Sequence, residues 1–192
     1  MPRVGVLALQ GDVREHVTML EGLGADVVEV KKVAQLEGLD GLVMPGGEST
    51  TIARLLTTSG MRPVLAEMFA NGLHVFGTCA GLILLSSEIL DGRSDQWSFA
   101  LLPVGVRRNG YGRQIASFET TVDVKGVGSV PGVFIRAPKI ESWSHAVEVL
   151  ATHNHSDGEY PVLVRLDNVW GCSFHPELTS DHRIHQLFVH SL

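Results

Sequence analysis

Cys79 lies at the narrow point of the stretch HVFGTCAGLILL, residues 74–85, between two apolar runs and flanked two residues away by Gly77 and Gly81. The five residues Gly77-Thr78-Cys79-Ala80-Gly81 follow the G-x-S-x-G pattern of a nucleophile elbow, with cysteine in the serine place. Small residues on either side let a strand and the following helix pack closely around a strained turn, which holds the central side chain above the sheet edge. Helix N-termini favour the thiolate form of a cysteine, and their unpaired N–H groups can hold a developing negative charge. The chemistry this suggests is nucleophilic catalysis by a thiol. The same residues also suit a buried structural cysteine or a redox-sensing thiol. No C-x-x-C is present, which argues against thioredoxin-like exchange. Cys172, inside the apolar run VWGCSF, reads as a core side chain.

A thiol nucleophile needs a base, and the chain has nine histidines. His16, His182, His185 and His190 fall on expected helices, and His74 precedes an expected strand. His153 and His155, in THNHSDG, read as a solvated turn or a weak metal pair, and no third ligand stands at zinc spacing, so no metal is expected. His175 differs. In GCSFHPELT it ends a strand, Pro176 stops that strand, and Glu177 follows two residues on, where it can fix the tautomer and stabilise imidazolium. An ordinary surface turn is the competing reading of His175-Pro176-Glu177.

Bringing residues 79 and 175 together requires a particular kind of sheet. VGVLAL, DVVEV, GLVMP and LHVFGT read as short buried strands, and the segments between them carry helical spacing. Ser49 is the expected N-cap of one such helix, Asn71-Gly72 ends another, and AGLILLSSEIL reads as a helix throughout. Beyond about residue 98 the pattern turns to β-rich runs: LLPVGVRR, QIASFETTVDV, GVFIRAP, AVEVLATH, YPVLVRL and VWGCSF. Ile184, Leu187 and Phe188 then mark a last helix. The expectation is an α/β fold: a three-layer open, mostly parallel sheet with helices on both faces and a small antiparallel or mixed extension. The chain reads as a single domain, residues 1–192. In such sheets sites form at the C-terminal strand edge, where residues 79 and 175 would meet.

Composition narrows the partners. With 15 Lys+Arg against 21 Asp+Glu the net charge is −6, which gives no support to nucleic-acid binding. No apolar run approaches a membrane span and no secretory signature is present, so the expected location is the cytoplasm.

GTCAGL with FHPE resembles the class I glutamine amidotransferases, cysteine-dependent glutaminases that release ammonia for a partner enzyme. LALQGDVREH, GLVMPGGESTT, RRNGYGRQIASFE, GVFIRAP and GCSFHPELTSDHRIHQLF narrow the resemblance to the glutaminase subunits of pyridoxal 5'-phosphate synthases, over nearly the whole chain. The resemblance implies Cys79 as nucleophile, His175 as base and Glu177 as its orienting partner. It implies a glutamine pocket lined by Gly46, Gly47, Glu48, Ser49, Arg108, Ile135 and Arg136. Gly47, Ala80 and Gln10 would form the oxyanion region, with Gln10 near a subunit interface. It also implies L-glutamine as substrate, no cofactor, and a (β/α)₈-barrel synthase as partner in a large hetero-oligomer, without which the glutaminase is very weak.

The residue types agree with that pocket. Free glutamine carries an ammonium, which Glu48 suits, and a carboxylate, which Arg108 or Arg136 suits through a bidentate fork. Arg136 is the stronger candidate, because VFIRAP puts a charge at the end of an apolar strand, where burial is costly without a partner. RSDQW, residues 93–97, matches no family signature. Two other readings stand beside the main one: the glutaminase of another pathway such as histidine biosynthesis, and a non-enzymatic regulatory binder on the same scaffold.

Overall fold

The computed structural model describes residues 1–111 and 117–192. The first half alternates strand and helix: β1 (Arg3–Leu7), α1 (Val13–Gly22), β2 (Asp26–Val30), β3 (Gly41–Met44), α2 (Ser49–Thr58), α3 (Met61–Ala70), β4 (His74–Thr78) and α4 (Ala80–Leu85). Strands dominate the second half: β5 (Ser86–Ile89), β6 (Leu102–Arg107), β7 (Ser117–Val124), β8 (Gly128–Ile135), β9 (Lys139–Trp143), β10 (Glu148–His155), β11 (Gly158–Leu166) and β12 (Val169–Cys172), followed by α5 (Arg183–His190). Seven strands form one sheet in the order β10-β11-β12-β4-β3-β1-β2. From β12 to β2 all neighbours are parallel, while β10 and β11 complete the sheet antiparallel. A three-stranded sheet β5-β6-β9 and the β7–β8 hairpin form the extension. The α/β expectation, with helices on both faces, holds.

Period-two alternation builds the two helix layers, because successive strand side chains point to opposite faces. Leu42, Met44 and Val75 pack with Ile52, Leu56, Leu65 and Leu84 of α2, α3 and α4. Val43 and Phe76 pack on the other face with Leu20 of α1 and Ile184 and Phe188 of α5. Topology then does the positioning. β12, β4, β3 and β1 are parallel neighbours, so their C-terminal ends lie side by side, with Cys172 in register with Thr78 and Met44 with Gly77. The segments leaving those ends carry His175, Cys79, Gly46–Ser49 and Gln10–Asp12.

Several local expectations are corrected. The helix after Cys79 stops at Leu85, because Ser86 turns extended, donates its hydroxyl to Ile83 O at 2.7 Å, and opens β5, which pairs parallel with β6. Glu48, not Ser49, is the N-cap of α2. His153 and His155 belong to β10, where His153 stacks on Phe118, and the turn itself falls at residues 156–157. β9 was not expected as a strand. Among the described residues no helix is long and apolar enough to cross a membrane. Residues 112–116 of the RRNGYGRQIASFE motif lie outside the described residues.

Candidate active site

Cys79 joins β4 to α4 with φ 48° and ψ −100°, a backbone conformation a non-glycine side chain rarely adopts. The flanking glycines make this possible. A Cβ on Gly77 would stand 2.5 Å from the Gly81 carbonyl carbon, and one on Gly81 would stand 2.1 Å from Met44 O of the neighbouring strand. The Cys79 N–H donates to Cys172 O at 2.8 Å, so the elbow is also tied to β12. Cys172 serves through this carbonyl. Its own thiol is fully buried and donates to Phe174 O at 3.3 Å, and burial pushes its pKa well up. Both cysteines are free.

His175 lies just past β12, at the entry of a short 3-10 turn formed by Pro176–Leu178, with its N–H donating to Val133 O at 2.8 Å. Its Nδ1 lies 2.7 Å from Glu177 Oε1 and 3.4 Å from Asp12 Oδ2, and its ring lines the same cavity as Cys79. Burial alone would lower the imidazole pKa. The Asp12 and Glu177 carboxylates and the nearby Cys79 thiol outweigh it and push the value up to about 12. Glu177 is buried, which raises its pKa, against the opposing pull of His175. Cys79, His175 and Glu177 are therefore brought together at one end of the parallel strands.

A cavity of about 390 Å³ opens in front of Cys79 and His175, lined by Gln10, Asp12, Gly47, Glu48, Ser49, Ile83, Arg108, Asn109, Ile135 and Arg136. Gly47 adopts φ +152°, and a Cβ there would stand 2.6 Å from Gln10 Oε1, the same oxygen that accepts the Glu48 N–H at 2.8 Å. Gly46 backs the His175 ring rather than the cavity, and Ala80 is buried as the first residue of α4. The Glu48 carboxylate caps α2, accepting from Thr51 N at 2.7 Å, Thr50 N at 3.1 Å and both threonine hydroxyls. Burial would raise its pKa, but these bonds hold it at about 2. It also meets Arg108 Nη2 at 3.2 Å. The burial reason for preferring Arg136 is corrected: Arg136 is exposed, with φ 43°, whereas Arg108 is the arginine held by partners.

Asp12, Ile83 and Asn109 line the cavity and Gln96 supports it, and none of the four was expected as a site residue. Asp12 approaches His175 across 163 positions, for which no local pattern exists. Gln96, in the unassigned RSDQW, donates to Ser49 Oγ at 3.0 Å and accepts from Arg108 Nη1 at 3.2 Å. Donor atoms of Asp12, His175 and Glu177 lie within 4.8 Å of one another, a spacing open to a metal ion. Here the Glu177–His175 hydrogen bond and the adjoining thiol give the same atoms a proton-relay arrangement.

A thiol, a buried imidazole–carboxylate pair and an adjacent cleft make a site for acyl transfer from a small amide or ester. The family model for the SNO glutamine amidotransferases matches residues 6–192. The chain belongs to the SNO glutamine amidotransferase family. It is 53% identical over 190 residues to the pyridoxal 5'-phosphate synthase subunit PdxT of Streptomyces avermitilis, covering 98% of this chain and 92% of that protein. The corresponding PdxT of Corynebacterium jeikeium is 51% identical over 187 residues, covering 97% and 94%. Among solved structures, a crystal structure of a glutamine amidotransferase superposes with a TM-score of 0.90 at 48% identity, covering 98% of this chain and 97% of that one. The family match thus takes in Cys79, His175, Glu177 and every residue that lines the cavity in front of them.

Proposed function

We propose that this amidotransferase hydrolyses L-glutamine to L-glutamate and ammonia through a γ-glutamyl thioester on Cys79, and that the ammonia serves pyridoxal 5'-phosphate synthesis by a partner. The observation that carries the reading is Cys79 on its strained elbow, lining one cavity with a His175 that Glu177 holds at 2.7 Å. His175 takes the thiol proton, and sulfur attacks the γ-amide carbon. The tetrahedral oxyanion falls to backbone N–H groups at Gly47 and Ala80, with Gln10 supporting the Gly47 loop. Imidazolium then protonates the departing amine, and the thioester remains. Water, losing its proton to His175, attacks the thioester; glutamate leaves and the thiol is restored.

Glutamine sits in the cleft with its α-carboxylate toward Arg108 and with Gly47, Ser49, Ile135 and Arg136 around it, while Gly46 supports the site from behind the His175 ring. Because the Glu48 carboxylate already caps α2, its part is to hold Arg108 and the Gly47–Ser49 loop in place. Ammonia released to bulk water becomes ammonium and loses its nucleophilicity, so a closed path to a second active site is favoured. The family resemblance and the synthase-subunit names of the relatives support a (β/α)₈-barrel synthase as the receiver, in a large hetero-oligomer, with this chain as a single glutaminase domain. A nucleophilic thiol and two unpaired cysteines suit the reducing cytoplasm.

The test is glutamate release by the purified chain mixed with the barrel synthase of its own source. Release that rises on mixing supports the reading. No glutamate above background in that mixture contradicts it.

A further inference from the structure

His16 of α1 and His185 of α5 are both fully buried behind Glu177, on the side away from His175. His16 Nδ1 lies 2.9 Å from His185 Nε2. His16 Nε2 lies 3.1 Å from Thr78 Oγ1 and 3.5 Å from Glu177 Oε2, the carboxylate oxygen that His175 does not use. Among the described residues, neither His185 Nδ1 nor Glu177 Oε2 has a hydrogen-bond partner. Burial, together with His185 and His175, holds His16 well below the ordinary imidazole pKa, and burial with His182 lowers His185 to about 3, so both rings are neutral.

Two neutral rings in contact allow only two proton arrangements. If His16 donated from Nδ1, His185 would have to carry its proton on Nδ1, a buried N–H with nothing to receive it. The bare Nε2 lone pair of His16 would then face a carboxylate oxygen. In the other arrangement His185 Nε2–H donates to His16 Nδ1, His16 Nε2–H donates to Thr78 Oγ1 with Glu177 Oε2 beyond it, and of the four ring nitrogens only His185 Nδ1, a bare lone pair, goes unpaired. Orphaned N–H groups are the costlier of the two defects.

We propose that His16 is a positioning residue for the hydrolysis: its Nε2–H hydrogen-bonds Thr78, the residue before the nucleophile, and attracts the otherwise unpartnered second oxygen of Glu177 across 3.5 Å, with His185 setting the His16 tautomer. The triad carboxylate is thereby flanked on both sides, hydrogen-bonded by His175 through Oε1 and faced at 3.5 Å by His16 Nε2 at Oε2. Thr78 links the same imidazole to the strand end that carries Cys79. The inference rests on the glutaminase reading above.

The experiment is a double-mutant cycle in the complex with the synthase, reading glutamate release. His16→Leu should lower kcat between about tenfold and a hundredfold, the scale of a hydrogen bond to a charged group, with KM for glutamine unchanged. His16→Gln, whose amide N–H can reach the Nε2 position, should recover most of that loss. In a Glu177→Gln background His16→Leu should add less than about twofold, because its effect passes through Glu177. An unchanged kcat in His16→Leu, or the same factor in both backgrounds, would overturn the proposal. Nitrogen-15 NMR of the unsubstituted protein keeps the idea testable if the leucine variant does not fold: His16 must be protonated at Nε2 and bare at Nδ1, and the opposite tautomer overturns it. A parent complex that makes no glutamate would overturn the glutaminase reading itself and this inference with it, an outcome distinct from an active parent insensitive to His16.

Discussion

Arg108 Nη2 meets Glu48 Oε1 at 3.2 Å, while Nη1 of the same guanidinium meets Gln96 Oε1 at 3.2 Å. Two planar nitrogens thus bridge the N-cap of α2 and the loop before β6, and the guanidinium is oriented before any substrate arrives. A lysine keeps the charge but cannot make both contacts in one plane. Arg108→Lys is expected to raise KM for glutamine about tenfold or more, with a smaller change in kcat. Glutamine saturation curves of the synthase complex check this, and an unchanged KM would remove Arg108 from substrate binding.

Glu48 carries a pH signature. Folding holds its carboxyl at about 2 against the ordinary 4.5, so its contribution to stability is complete above about pH 4.5 and is lost as pH falls toward 2. The side chain is about half exposed, so solvent screening limits the effect to about 1 kcal/mol, the usual value of a helix cap. Glu48→Gln should therefore lower Tm at pH 7, and the gap to the parent should narrow as pH falls below 4.5. Melting curves across that range check the sign. A gap that stays constant to acid pH would mean that the charge does not matter to the cap.

Gly81 has no room for a methyl group. A Cβ would stand 2.1 Å from Met44 O, a backbone atom in the sheet interior. Gly81→Ala should cost about 3 kcal/mol or more by forcing β3 and α4 apart, and it should lower glutaminase activity along with stability because the same contact shapes the Cys79 elbow. Urea unfolding gives the first quantity and glutamate release the second.

This elbow was legible because its determinants are local: Gly77, Cys79 and Gly81 lie within five residues, and His175 and Glu177 within three. The alternation of buried strands with helical spacing likewise announced the parallel sheet. What the sequence hid was held by distant partners. Ser86–Ile89 continues an apolar run and looks helical, yet pairing with β6 draws it into a strand. His153 and His155 carry the polar signature of a turn, but the β10–β11 pairing and the ring of Phe118 place them on a strand. Arg136, expected to be buried at a strand end, is exposed because β8 finishes at the surface, with Ile135 exposed as well. Asp12 and His16 reach His175 and Glu177 only through sheet order.

Cys172 should prove separable from the chemistry. Its thiol is fully buried among apolar side chains, and it supports the elbow through its carbonyl, which any residue supplies. Cys172→Ser should keep kcat within about threefold and cost about 1–2 kcal/mol of stability from burying a hydroxyl. A fall in kcat as large as that from removing Cys79, with Tm unchanged, would reverse the roles given to the two cysteines.

The central claim is that Cys79 generates ammonia which another active site consumes. It is tested most directly by measuring pyridoxal 5'-phosphate formation in the complex containing Cys79→Ala, with glutamine and, separately, with ammonium as nitrogen source. The account predicts no synthesis above background from glutamine and parent-level synthesis from ammonium. Equal failure with both sources would contradict it, because Cys79 would then be needed for the assembly itself and not for releasing ammonia.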